Sequence, residues 1–188
     1  MIHSKKHTRA IIKTLARHLQ GRLQFGVEVG VWTGNNSANL LRHFPELRLT
    51  MVDHWSASVY REVGKDKRMR SKSQQHYSQA LRMALTRTHA HASRRIIIVG
   101  HSLEVAAGIR QQSQDFVFID ADHSYRSVLC DIAAWRTKVR PGGLLMGHDY
   151  NSKGDKLGLF GVKRAVDETF GEQNVNVVHK CCMWWVMM

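Results

Sequence analysis

The chain has 188 residues, 43% hydrophobic and 23% charged, with 28 Lys and Arg against 15 Asp and Glu for a formal charge of +13. That length suits one domain burying about 70% of its unfolded surface, and no apolar run approaches the roughly 20 residues that span a bilayer. Cys130, Cys181 and Cys182 form no C-x-x-C pair and are odd in number, which speaks against a disulfide framework or a zinc site; a cytoplasmic protein with buried free thiols is expected.

Residues 1–22 are basic, with too short an apolar stretch for a secretory signal. Ile11, Ile12, Leu15 and Leu19 recur at helical spacing, so this segment is predicted to be an amphipathic helix. A strand over Phe25–Val29 follows, then a helix over Asn36–His43 and a strand over Leu47–Val52. About forty residues separate Asp53 from the next strand, Arg95–Val99, and a helix over Gln74–Thr88 fills only part of them. The polar, basic remainder, residues 54–73, is either a mobile lid over the substrate or a plain surface loop. Further on come a helix over Leu103–Gln111, a strand over Phe116–Ile119 and a helix over Ser127–Lys138. A strand over Gly143–Gly147, a helix over Val162–Phe170 and strands over Val175–His179 and Met183–Met187 complete the chain.

Strands alternating with helices predict an α/β fold in three layers, α/β/α, around a mostly parallel seven-stranded sheet. The last two strands are too close for an intervening helix and are expected as an antiparallel C-terminal hairpin. With no internal repeat and two prolines, residues 1–188 read as a single domain.

The chemistry concentrates at strand ends. Residues 26–37 read GVEVGVWTGNNS, a strand, a glycine turn and a helix start. The G-x-x-x-G spacing of Gly30 and Gly34 departs from the G-x-G-x-x-G turn that cradles a dinucleotide pyrophosphate, which disfavours a nicotinamide-dependent dehydrogenase. Glu28 would repel phosphate and suits a cationic or hydroxyl-bearing ligand. Asp53, after the second strand, is either a ligand for hydroxyl groups or a turn cap. Ser102 follows the third strand and can serve as a helix N-cap, a ligand group, or both. The fourth strand runs into Asp120-Ala121-Asp122-His123, and the fifth ends at His148-Asp149.

This pattern resembles the class I S-adenosylmethionine-dependent methyltransferases, whose first motif is acidic-x-Gly-x-x-x-Gly. The stretch from Ile119-Asp120 through His123 and Tyr125 to Arg140-Pro141-Gly142-Gly143 is similar to the branch that includes catechol and caffeoyl-coenzyme A O-methyltransferases. The closer likeness is to a group with an I-D-x-x-H-x-Y signature, and it covers nearly the whole chain from about residue 20. The resemblance implies that Glu28, Gly30, Thr33 and Gly34 hold the methionine part of S-adenosylmethionine. It also implies that Asp53 binds the ribose, that Ser102 lies beside the adenine, and that Asp120 borders the cofactor.

In the metal-dependent relatives, aspartates matching Asp120 and Asp149 bind a divalent cation such as Mg²⁺. Their next ligand is an asparagine directly after the second aspartate, where this chain has Tyr150, with Asn151 one place later; His148 could bind a softer metal. His123 matches a lysine that helps deprotonate the acceptor, and an imidazole can serve as general base; it could equally cap the next helix.

The expected reaction is methyl transfer to a small-molecule hydroxyl. Basic residues cluster at Lys5–Arg22, Arg61–Lys72 and Arg87–Arg95, which fits an anionic substrate, a polyanion or a solvated face. An RNA methyltransferase is the alternative, disfavoured because the basic segments lack interleaved aromatic residues. A catalytically silent cofactor-binding protein is a third reading.

Overall fold

The computed structural model describes residues 3–62 and 71–188. Seven strands form one sheet: β1 (Phe25–Val29), β2 (Arg48–Asp53), β3 (Arg95–Val99), β4 (Gln114–Ile119), β5 (Val139–Gly147), β6 (Asn176–Val178) and β7 (Met183–Met187). Around it lie α1 (His3–His18), α2 (Asn35–His43), α3 (Ala57–Glu62), α4 (Gln74–Arg87), α5 (Ser102–Gly108), α6 (Tyr125–Arg136), α7 (Lys153–Lys156) and α8 (Val162–Phe170).

The sheet order is β3-β2-β1-β4-β5-β7-β6. The first five strands are mutually parallel, and β7 runs antiparallel to both β5 and β6. The predicted antiparallel pair is therefore present, with β7 lodged between β5 and the edge strand β6. From β1 the chain winds outward to β2 and β3, then returns to add β4 and β5 on the other side. The carboxyl ends of β1 and β4 thus flank the switch point where open α/β sheets bind ligands.

Alternation along each strand sends neighbouring residues to opposite faces, and both faces are covered. Phe116, Phe118, Leu144 and Met146 pack with Ile11 and Leu15 of α1, Leu40 and Leu41 of α2 and Tyr77 of α4. Val117, Ile119 and Leu145 pack on the other face with Val128, Ile132 and Trp135 of α6 and Ala165 and Val166 of α8.

Buried Asp115 ties the amino ends of three strands together. It accepts the N–H groups of Gln24 and Phe25 at 2.5 and 2.8 Å, and its other oxygen pairs with Arg140 Nε at 2.8 Å.

The expected lid, residues 54–73, falls partly on 63–70, outside the described residues. Before that gap the chain is anchored: Trp55 and Ala57 are buried, and Gln74 accepts the Ala57 N–H at 2.9 Å while donating to the Trp55 carbonyl at 3.0 Å.

Candidate active site

Ladder hydrogen bonds continue past the strand ends and set the site's frame. Gly30 N donates to the Val52 carbonyl at 2.8 Å, Asp120 N to Val29 at 2.8 Å, Gly100 N to Asp53 at 3.1 Å and His148 N to Ile119 at 3.2 Å. The residues after β1, β3, β4 and β5 are thereby brought, with Asp53 at the end of β2, to one edge.

The loop after β1 is held by its neighbours. Gly30 has φ +89°, and a Cβ there would stand 2.1 Å from the Asp120 carbonyl oxygen. Sequence reasoning expected this glycine to admit a ligand; the close approach that requires it comes from the backbone after β4. Gly34 takes φ +72°, and a Cβ there would meet the Ala84 backbone of α4 at 2.8 Å. The Thr33 carbonyl accepts from Arg87 at 2.7 Å. Trp32 and Trp55 occupy left-handed backbone at φ 52° and 40°, and the Trp55 indole donates to the Trp32 carbonyl at 2.7 Å.

Asp53 organises this loop. Its two carboxylate oxygens accept the N–H groups of Trp32 at 2.8 Å and Trp55 at 2.9 Å. Burial pushes its pKa up, partly offset by these amide bonds. A carboxylate has about four acceptor positions, so a ligand hydroxyl can still be accepted beside these amides.

Glu28, expected to help hold the methionine part, is a buried residue of β1. Its residue is 1% exposed, and its carboxyl accepts the Ser37 hydroxyl of α2. Burial pushes its pKa up to about 8, which favours the neutral acid.

Ser102 also departs from expectation. The N-cap of α5 is His101, whose ring accepts the Leu103 N–H at 3.4 Å. The Ser102 hydroxyl donates to Asp131 at 2.5 Å and accepts the Trp135 indole N–H at 2.8 Å, so its proton is directed into α6. Burial lifts the Asp131 pKa to about 6.

The ends of β4 and β5 carry the densest cluster. His123 Nε2 lies 3.3 Å from Asp120 Oδ1 and 3.2 Å from Asp149 Oδ2. His148 Nδ1 lies 3.7 Å from Asp120 Oδ1 and 3.2 Å from Asp149 Oδ2. From α1, the His7 ring stacks on His148 with centroids 4.1 Å apart. Asp149 holds φ 61°, a left-handed conformation uncommon outside glycine.

Burial alone would raise the Asp120 carboxyl, but the charges of His148, His123 and His7 outweigh it and hold it well below the usual carboxylate range. Burial disfavours the charged His148, yet Asp120 and Asp149 lift its pKa to about 9. His123 is likewise lowered by burial and raised, on balance, by the two aspartates. Burial takes His7 the other way, down to about 4.

These donors do not fit Mg²⁺. A hard cation selects oxygen ligands, whereas three imidazoles crowd the two carboxylates. Tyr150, in the position where relatives carry an asparagine, donates its hydroxyl to Asp167 at 2.7 Å.

Sequence reasoning missed His7 as a site residue. Its signal was available: His7, Ile11 and Leu15 recur every four residues, which puts a histidine on the buried stripe of α1.

A family profile described as a methyltransferase domain matches residues 27–150. No curated protein matches the chain. The fold is similar to the O-methyltransferase TomG of Streptomyces achromogenes, involved in tomaymycin synthesis and solved with S-adenosylmethionine: TM-score 0.67, 16% identity, 97% of this chain and 80% of that one. An O-methyltransferase from Bacillus cereus solved with S-adenosylhomocysteine gives 0.66, 16%, 97% and 81%. A precorrin 8W decarboxylase from Methanobacterium thermoautotrophicum gives 0.55, 15%, 89% and 73%. At these identities the neighbours establish the fold, and the profile establishes the family. The chain belongs to the methyltransferase-domain family.

Proposed function

We propose that the chain methylates a hydroxyl oxygen of a small-molecule acceptor, with His123 as the general base. The observation that carries this reading is the position of His123 Nε2 between Asp120 and Asp149, 3.3 and 3.2 Å from their carboxylate oxygens. The carboxylates orient the imidazole and stabilise it once protonated. The acceptor oxygen forms its bond to the methyl carbon as the carbon–sulfur bond breaks toward sulfur, and the hydroxyl proton passes to His123. Since the sulfonium already activates the methyl group, the chain contributes mainly alignment and removal of the proton.

Asp53 is assigned to the ribose hydroxyls through its remaining lone pairs, and the Gly30–Gly34 loop, with Thr33, to the methionine part. Glu28 is assigned a supporting role beneath that loop. Beside His123, whose ring centroid is 4.7 Å from that of Phe160, opens a cleft of about 680 Å³ lined by Ser124, Tyr125, Asn151, Phe160, Lys163 and Arg164. Lys163 is paired with Asp167 and Glu172, and Arg164 with Glu168, which suits an uncharged acceptor as well as an anionic one. Oxygen as the acceptor atom is supported by the naming of the Streptomyces and Bacillus proteins as O-methyltransferases.

The test is calorimetric titration with S-adenosylmethionine together with turnover on a panel of phenols and sugars. His123→Ala should abolish most turnover while leaving cofactor affinity within about threefold. Equal losses in both would remove His123 from the role of base.

A second reading, an RNA acceptor, draws on α1. Lys6, Arg9, Lys13 and Arg17 line one groove with Lys180 and Trp185. RNA binding that weakens steeply with salt, together with methyl incorporation into RNA, would favour it.

A further inference from the structure

Asp120 is shared by two clusters. One contains His123 and Asp149, used above. The other contains His7 and His148, and in it each residue brings one donor atom within 4.8 Å of the other two. Nothing in the methyl-transfer reading calls for His7.

His7 is 5% exposed, and its Nε2 has no hydrogen-bond partner among the described residues. A buried ring nitrogen without a partner carries a desolvation cost and calls for an explanation. Packing accounts for the ring itself, which lies between Phe118 and His148 at centroid distances of 5.1 and 4.1 Å. Phenylalanine would satisfy that packing. The nitrogen is what remains to be explained.

His148 has the support expected of a ligand. Its ring hydrogen-bonds the backbone of Cys181 as well as Asp149, and such a second partner fixes ring orientation at metal sites. Donors bound at about 2.1 Å stand roughly 3.0–3.5 Å apart. His148 Nδ1 lies within that span of Asp149 Oδ2, at 3.2 Å, and just beyond it from Asp120 Oδ1, at 3.7 Å, so an ion would draw the last pair slightly together.

We propose that His7, Asp120 and His148 form a metal site for a borderline divalent transition cation such as Zn²⁺, Fe²⁺ or Co²⁺, with Asp149 as the nearest fourth donor. Two imidazoles and a carboxylate select such ions over Mg²⁺. The site replaces the all-oxygen centre expected from sequence, and it shares Asp120 with His123.

The experiment uses the full chain stripped with chelator and titrated with Co²⁺. Visible ligand-field absorption should saturate at one equivalent, be reversed by stoichiometric Zn²⁺, and persist in a large excess of Mg²⁺. His7→Phe, which keeps the ring packing and removes the nitrogen, should weaken Co²⁺ binding at least about tenfold. Absence of the absorption, displacement by Mg²⁺ as readily as by Zn²⁺, or unchanged affinity in His7→Phe would overturn the proposal. Should that variant fail to fold, the Zn²⁺ and Mg²⁺ competition on the unaltered chain decides. S-adenosylmethionine binding is measured on the same stripped sample. Binding there without a Co²⁺ spectrum removes the metal site alone, and a Co²⁺ spectrum without it removes the methyl-donor reading alone.

Discussion

Asp53 accepts the backbone N–H of Trp32 at 2.8 Å, so the carboxylate ending the second strand holds the loop that leaves the first. The same side chain accepts the Trp55 N–H at 2.9 Å. The proposed ribose ligand is therefore also the scaffold of the loop. Asp53→Ala should lower S-adenosylmethionine affinity at least tenfold and also cost about 1–3 kcal/mol of stability through the amides left without acceptors. Calorimetric titration and urea denaturation read the two effects separately. Full stability with lost affinity would mean that the loop holds its shape without Asp53.

Gly30 is the least replaceable position of the loop. At φ +89°, with the Asp120 carbonyl 2.1 Å from any Cβ, alanine meets both backbone strain and a clash that neither strand can relieve without shifting. Gly30→Ala should destabilise the fold by about 3 kcal/mol or more, read as a lowered urea midpoint. A midpoint near that of the parent chain would show that β1 and β4 separate more easily than their shared ladder suggests.

Glu28 should make stability depend on pH. Its carboxyl is raised from 4.5 to about 8, so the folded chain keeps a proton that the unfolded chain releases. Its stabilising contribution is complete below the unfolded value and is lost as pH rises through the folded one, with a slope of up to about 1.4 kcal/mol per pH unit. Glu28→Gln, neutral throughout and still able to accept from Ser37, should flatten the decline between about pH 5 and 8 in urea titrations of the metal-free protein. An equally steep decline in the variant would assign it to another group.

Ser102 distinguishes a structural hydroxyl from a ligand. Ser102→Ala leaves the Trp135 indole N–H and Asp131 without a partner they now share. The expected cost is about 1–3 kcal/mol of stability, with S-adenosylmethionine affinity unchanged within twofold. A tenfold loss of affinity at unchanged stability would restore the hydroxyl to the cofactor.

Local pattern carried much of the fold. The bounds of β1, β3, β7 and α8 coincide with those expected, since each is an aliphatic or aromatic run or a periodic stretch flanked by breakers. Capping shifted others: Ser124 accepts the Ser127 N–H, so α6 starts at Tyr125 rather than Ser127. The helix expected over Leu103–Gln111 stops at Gly108, and Gln112 then takes φ 49°.

The site was legible where its residues share a motif, as Asp120 and His123 do. Glu28 and Ser102 were correctly placed at strand ends, yet their partners, Ser37, Asp131 and Trp135, lie on helices whose packing no spacing rule specifies. The same holds for His7, which reaches the cluster only because the stripe carrying Ile11 and Leu15 docks α1 on the sheet.

The insertion of β7 between β5 and β6 separates the order of synthesis from the order of assembly. β6 leaves the ribosome first, but its registered neighbour is β7: Asn176 opposite Trp185, Val177 opposite Trp184 and Val178 opposite Met183. The penultimate strand has no ladder partner until the following one has been made. Nascent chains halted before residue 183 should therefore leave the β5 edge bare and sticky, a natural grip for a chaperone.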